Sequence, residues 1–149
     1  MDVQLAQVNI ARMKAPFDDP VMAGFVGRIG ELNALADASP GFVWRLPSAT
    51  EEDGYHRPYD DDRILFNLSV WQTVEALRAY AYGTVHAESV RRRYDWFEKF
   101  DRAYLALWWI PAGHRPSIDE AKQRLAHLDE HGPSPIAFTF KQVFPPTTL

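Results

Sequence analysis

The stretch ILFNLSVW, residues 64–71, has the clearest strand pattern in the chain. Every second residue from Ile64 to Val70 is apolar, and the positions between and after them hold Leu65, Asn67, Ser69 and Trp71. Successive side chains of a β-strand point to opposite faces, so this alternation predicts a strand with one apolar face and one mixed face.

The segments around this strand carry further strand and helix signals. Asp18-Asp19-Pro20 is an acidic helix start with proline in the first turn, and Ser117 with Glu120 forms a capping box. The predicted elements are strand 3–11, a helix from 20 to Ser39-Pro40-Gly41, strand 41–46, strand 64–71, helix 73–82, a helical piece 84–100, strand 103–110, a helix from 117 to Gly132-Pro133 and a short strand 136–140.

This β-α-β-β-α-β order predicts an α+β fold. It is the order of a ferredoxin-like antiparallel sheet with helices on one face, here followed by an extra C-terminal helix and short strand. A length of 149 residues suits one domain, so we treat residues 1–149 as a single domain. Gly24, Gly27 and Gly30 interrupt the first helix, and we attribute them to close packing on the sheet.

The mixed face of the sheet predicts self-association. We expect it to lie opposite the helices and to carry Leu5, Gln7, Asn9, Trp44, Leu65, Asn67, Ser69 and Trp71. Such a surface is unfavourable on a monomer, and a second copy could bury it, so we expect a homodimer that closes a dimeric α+β barrel. Aromatic walls with a few polar groups form a small-molecule pocket, and its predicted lining is Gln7, Asn9, Trp44, Ser69, Trp109 and His114.

Composition excludes several classes of function. The net charge is -4, so no attraction to nucleic acid or to an anionic membrane is expected. The absence of cysteine excludes disulfides, thiolate nucleophiles and zinc sites built on cysteine. No segment has the pattern of a signal peptide or a membrane span, so a cytoplasmic location is expected.

Two sets of motifs carry a resemblance to known proteins. NLSVWQTVEAL, residues 67–77, followed by His86, resembles the dimeric α+β-barrel superfamily, which includes the antibiotic-biosynthesis monooxygenases. The whole chain resembles an uncharacterised bacterial domain-of-unknown-function family of such barrels through Ala15-Pro16, GFVWR at 41–45, SVW at 69–71 and WWIPAGHRP at 108–116. This second resemblance covers residues 5–140 and implies the barrel without an activity.

The superfamily resemblance implies a cofactor-independent monooxygenase acting on an aromatic or enolisable substrate. In similar oxygenases an Asn and a Trp four residues apart hold the substrate oxygen and dioxygen, as Asn67 and Trp71 are spaced here. His86 would take the proton from a phenol or enol, and Asn67 and Trp71 would donate hydrogen bonds to the anion. Structural roles for all three side chains are the alternative, and the protein is then a non-catalytic binder that uses the same pocket.

Other histidines allow other chemistry. Haem enzymes of the superfamily ligate iron through a helix histidine, which would be His86 here and would make haem the cofactor; otherwise no cofactor is expected. His127 to His131 matches the H-x-x-E-H pattern of some zinc proteases, but no third ligand follows, so no metal site is predicted. His114 could close the barrel mouth or bond to loop backbone.

Overall fold

The computed structural model describes residues 2–47, 58–83, 91–100 and 102–146. Its centre is a four-stranded antiparallel sheet in the order β2-β3-β1-β4. The strands are β1 (Val3–Arg12), β2 (Phe42–Arg45), β3 (Ile64–Trp71) and β4 (Leu105–Pro111). This is the sheet of a ferredoxin-like fold, so the predicted α+β class and strand order are confirmed.

The helices are α1 (Ala23–Ala38), entered through a 3-10 turn at Pro20–Met22, α2 (Val74–Ala81), the single turn α3 (Arg93–Trp96) and α4 (Ile118–His131). Helices α1, α2 and α4 begin close to where the sequence predicts them. Side chains of Asp19, Thr73 and Ser117 accept from the backbone N–H groups of the first turns, as N-caps do. None of the helices in the described segments has the length and apolar character needed to cross a membrane.

Two predicted elements differ from the structure. The helical piece at 84–100 lies partly outside the described residues, and between 91 and 100 it is helical mainly at α3. The short strand at 136–140 is reduced to two isolated bridges, one between Thr139 and Gln142 and one to β4. In the bridge to β4, Phe138 and Leu107 exchange backbone hydrogen bonds of 2.9 and 2.8 Å. That bridge covers the outer edge of β4.

Both faces of the sheet carry helices. On the inner face, Ala36 of α1 and Val74 and Leu77 of α2 pack against the residues Leu5, Trp71 and Leu107. On the outer face, α4 packs through Ala121, Leu125 and Leu128 against Ala6, Val8, Ile10, Leu68, Val70, Ala106, Trp108 and Ile110.

The expectation of an uncovered mixed face is therefore wrong. The face that carries Gln7, Asn67 and Trp71 is the inner face, beneath α1 and α2, and the C-terminal helix covers the other one. Alternation shows which side chains share a face, but both faces of this sheet are apolar enough to receive helices. The homodimer stays a prediction that a single chain does not test.

Trp44 was also predicted on the mixed face, and this is wrong. The pairing of β2 with β3 shifts register between Phe42 and Trp44. Phe42 consequently packs with Trp71 on the inner face, whereas Trp44 packs with the outer-face cluster. A bulge places two residues opposite one, which breaks the simple period of two.

The helix glycines do not pack on the sheet as predicted. A Cβ built at Gly27 or Gly30 would meet no atom within 4 Å, and at Gly24 it would lie 3.2 Å from the ring of Trp96. The close approach occurs instead at Gly41, where φ is +84° and a Cβ would lie 2.5 Å from the Cβ of Ala76. Gly41 therefore permits the turn that brings β2 beside α2.

Replacing Gly41 by alanine should destabilise the fold, because the new methyl group needs both a strained φ and the space of Ala76. We expect a loss of about 1–3 kcal/mol in the free energy of unfolding, measured by urea denaturation. Gly27→Ala is the matched control and should stabilise the protein by about 0.5–1 kcal/mol, as alanine favours a helix interior. A Gly41→Ala protein as stable as wild type would contradict this packing.

Candidate functional site

Four polar side chains form a cluster on the inner face of the two central strands. They are Gln7 and Asn9 of β1 and Asn67 and Ser69 of β3, and the pairing of the strands sets Gln7 opposite Ser69 and Asn9 opposite Asn67. We call these four residues the polar cluster. Apolar groups flank it along the strands, with Leu5 and Trp71 at one end and the cluster of Met13, Met22 and Trp96 at the other.

Hydrogen bonds connect the polar cluster across the sheet. The side-chain Nε2 of Gln7 donates to Asn67 Oδ1 at 2.7 Å and to Ser69 Oγ at 2.9 Å. Asn9 Nδ2 donates to Gln7 Oε1 at 2.8 Å, with a longer contact of 3.4 Å to Asn67 Oδ1. Gln7 and Ser69 are only 3% and 6% exposed, and buried polar groups of this kind need such partners.

Asn67 is the exposed member of the polar cluster. Its carbonyl oxygen accepts from Gln7 and Asn9, whereas its Nδ2 has no hydrogen-bond partner among the described residues. In this arrangement both donors face the carbonyl oxygen of Asn67, and its Nδ2 lies at the other end of the amide. A ligand oxygen at Asn67 could therefore accept a hydrogen bond from an amide that is already held in place.

The indole N–H of Trp71 is not free to donate to a ligand, which its predicted role requires. Its indole is 1% exposed, and its Nε1 donates to Ser69 Oγ at 2.9 Å. The ring stacks on Tyr80 with centroids 5.3 Å apart and meets Phe42 edge-on. Ser69 thus stands between Asn67 and Trp71, and Trp71 contributes to the core beside the polar cluster.

A cavity of about 270 Å³ begins beside the polar cluster, at Asn9. Its walls come from α1, from the segment 93–100 and from the start of β4, and aromatic rings dominate them. The lining is Asn9, Ile10, Ala11, Phe25, Leu32, Arg93, Tyr94, Phe97, Glu98, Phe100, Tyr104 and Leu105. An apolar cleft with a few polar groups at one wall is the usual form of a small-molecule site.

Three predicted pocket residues lie away from the polar cluster. Trp44 is on the outer face, under the guanidinium of Arg115. Trp109 is half-buried against Phe138, and its Nε1 donates to the carbonyl of Phe144 at 2.8 Å.

The third residue, His114, is exposed in the loop before α4. Its Nε2 lies 2.7 Å from Glu120 Oε1, and the other carboxylate oxygen of Glu120 accepts from the buried Trp108. This arrangement fastens the loop to α4 and does not reach the inner face.

His86, the predicted base or haem ligand, lies outside the described residues, so both roles stay predictions. Within the ranges that the structure describes, no group of three His, Asp or Glu side chains could hold a metal ion. His127 and His131 face one another at the end of α4, with ring centroids 4.5 Å apart.

Apart from Asn9, which was predicted to line a pocket, the residues of the cavity wall were not predicted from the sequence. Phe25 and Leu32 follow the helical spacing of α1, which indicates that they face the sheet but not that a cavity remains there. Tyr94, Phe97 and Tyr104 lie far from α1 in sequence. The high content of aromatic residues in the sequence was the one available signal for an aromatic cavity wall.

The sequence matches one family of proteins. The profile of the family described as "Domain of unknown function (DUF3291)" matches residues 4–149. No curated protein matches the sequence significantly. The predicted membership in a family of unknown function is confirmed.

Several solved structures are similar to the chain at low identity. SnoaB, a cofactor-independent oxygenase from Streptomyces nogalater, is 16% identical with a TM-score of 0.49, over 77% of this chain and 97% of that one. NE2512, a protein of unknown function from Nitrosomonas europaea, is 12% identical with a TM-score of 0.48, over 77% and 96%. PA3566 from Pseudomonas aeruginosa is 14% identical with a TM-score of 0.45, over 78% and 98%. Likenesses of this degree carry no inference about activity.

Ser69→Ala tests whether the polar cluster is as tightly connected as these distances indicate. The substitution leaves the buried indole N–H of Trp71 without its acceptor and removes one partner of Gln7, so we expect a loss of about 1–3 kcal/mol in unfolding free energy. Ser39→Ala, where the hydroxyl bonds to a carbonyl at the end of α1, is the control and should change stability by less than about 0.5 kcal/mol. Equal losses in the two variants would contradict the connected cluster.

Tyr80 gives the inner-face core a pH dependence. Its hydroxyl donates to the carbonyl of Leu32 at 3.1 Å, and burial raises the pKa of Tyr80 to about 12. The unfolded chain ionises near pH 10, so this contribution to stability is complete below about pH 10 and is lost between about pH 10 and pH 12. Urea denaturation across that window should show a smaller loss in Tyr80→Phe than in wild type. Tyr82→Phe, at a tyrosine that is 65% exposed, should behave as wild type; a Tyr80→Phe protein with the wild-type loss would contradict the assignment.

Proposed function

The chain belongs to the DUF3291 family, and we propose that it binds a small aromatic or enolisable molecule in the cavity beside the polar cluster. The observation that carries this proposal is the hydrogen bonding of the Asn67 side chain. Gln7 and Asn9 donate hydrogen bonds to its side-chain carbonyl oxygen, and its Nδ2 has no partner among the described residues. Because this N–H donor is already held in one orientation, little conformational entropy is lost when a ligand binds to it.

The surroundings of Asn67 support an aromatic ligand. Asn9, which pairs with Asn67 across the strands, also lines the cavity, so the two amides connect the polar cluster to the aromatic walls. Asn67 itself is not among the residues that line the cavity, so a ligand whose ring contacts Phe25, Tyr94 and Phe97 must extend past Asn9 for its oxygen to accept from Asn67. The cavity volume of about 270 Å³ is at the small end of ligand sites, which favours a compact molecule.

The reaction that we propose for this site is cofactor-independent monooxygenation. A phenol or enol loses a proton, the anion donates an electron to dioxygen, and the two radicals combine at carbon; loss of water then gives a quinone. For α-naphthol the balance is one naphthol and one dioxygen giving one naphthoquinone and one water. Asn67 would stabilise the oxyanion by a preorganised hydrogen bond, and His86 is the proposed base. Trp71 has no role in the proposed reaction, because its N–H already donates to Ser69.

The second candidate is a protein that binds the same kind of molecule without converting it. The described residues favour binding directly, since the cavity and the polar cluster are both present among them. A proton acceptor with a pKa near neutrality is the additional requirement for turnover, and His86 is the proposed source of it.

Binding of α-naphthol, measured by calorimetry, tests the proposed function. Asn67→Ala removes the donor to the naphthol oxygen and should weaken binding about tenfold, the value of one hydrogen bond in a partly desolvated site. Gln123→Ala is the control, because it removes an exposed amide from α4, on the outer side of the sheet. Equal affinity in wild type and Asn67→Ala would contradict the proposed site.

Oxygen consumption separates the two candidates. If the protein is an oxygenase, it should consume dioxygen and form naphthoquinone with α-naphthol, and His86→Gln should abolish turnover while leaving binding within about twofold. Binding without oxygen consumption in wild type would leave the non-catalytic binder as the function.

A further inference from the structure

Three cationic side chains contact one residue of the cavity wall, Tyr94. The guanidinium of Arg93 lies 4.9 Å from the ring centroid of Tyr94, and the ammonium of Lys99 lies 5.1 Å from the same centroid. Lys14 donates to the backbone carbonyl of Tyr94. Tyr94 and Arg93 both line the cavity, and Lys14 and Lys99 contact Tyr94 from outside that lining. We call Lys14, Arg93 and Lys99 the basic group.

Among the described residues, no acidic side chain is paired with the basic group. None of its three members forms an ion pair within the described ranges 2–47, 58–83, 91–100 and 102–146. Glu98, the one carboxylate among the described residues of the cavity wall, is already bound by Arg12 through contacts of 2.7 and 2.9 Å.

Arg12 is shared with a second acid, Asp61, at 2.8 Å. Its hydrogen bond is the main reason that the pKa of Asp61 is held below its usual range. These two acids are thus balanced by Arg12 and the nearby Arg63, so the part of this wall that the structure describes carries the positive charge of the basic group in excess.

We propose that the basic group selects a ligand with an anionic substituent, a small aromatic carboxylate, over its neutral analogue. The proposal rests on the proposed function, since it names the class of molecule that this cavity takes. An aromatic ring in the cavity would bring a carboxylate on its edge toward Arg93, whose planar guanidinium can bind both carboxylate oxygens. Excess positive charge at a cleft also raises the local concentration of anions.

The charge would act on reactivity as well as on recognition. A cation close to a bound phenol or enol favours its ionised form and lowers its pKa. The basic group would therefore assist the loss of the proton that oxygenation requires, whereas a non-catalytic binder would show the selection alone.

A matched pair of probes tests this inference. Hydroxynaphthoic acid, which is α-naphthol with a carboxyl group beside the hydroxyl, is anionic at neutral pH, and its carboxamide has nearly the same shape without the charge. We expect the acid to bind about tenfold more tightly than the amide at low salt, and we expect that preference to shrink as the salt concentration rises. Calorimetry with both probes measures it.

Variants assign the preference to particular residues. Arg93→Gln should reduce affinity for the acid severalfold and leave affinity for the amide unchanged, and adding Lys14→Gln and Lys99→Gln should remove the preference. Arg78→Gln is the matched control, since that guanidinium also lies over an aromatic ring, Phe140, at 5.5 Å, but away from the cavity.

The possible failures are distinguishable. If acid and amide bind equally and Asn67→Ala weakens both, selection by charge is overturned and the proposed function stands. A preference for the acid that survives loss of all three cations would also overturn the assignment. If neither probe binds at millimolar concentration, both the anion selection and the proposed function are overturned.

Discussion

The site depends on the side-chain amide of Gln7 at the centre of the sheet. A buried amide without partners would cost on the order of 1–3 kcal/mol, and here each of its polar atoms is used: the nitrogen by Asn67 and Ser69, and the oxygen by Asn9. In this network the carbonyl end of Asn67 faces β1, and the nitrogen end is left for a ligand. The same network takes up the N–H of Trp71 through Ser69, which holds that indole in the core.

Helices of a single chain cover both faces of the sheet around the candidate site. Helices α1 and α2 close the inner face at the Trp71 end, while α4 closes the outer face. The cavity opens where α1 meets the segment 93–100 and the start of β4. Two apolar clusters thus flank the polar cluster, whose members Gln7 and Ser69 are buried while Asn67 is exposed to a ligand.

Local patterns predicted the elements and failed where distant segments meet. The alternation of residues 64–71 gave β3 and, with β1, the shared face of Gln7, Asn9, Asn67 and Ser69. The caps at Asp19 and Ser117 likewise depend only on neighbouring residues. Three features depend on packing between segments far apart in sequence, which periodicity does not encode. They are the sheet face on which α1 and α2 pack, the bulge at β2 and the aromatic walls of the cavity.

The most direct test of the central claim is to observe the side-chain amide of Asn67 by NMR while hydroxynaphthoic acid is added. The claim predicts that its Nδ2 resonances shift in a saturable way, with the resonances of Asn9 following, while the exposed amide of Gln123 on α4 stays unchanged. Saturable binding that moves resonances elsewhere and leaves those of Asn67 in place would contradict it, since the ligand would then occupy a different part of the molecule.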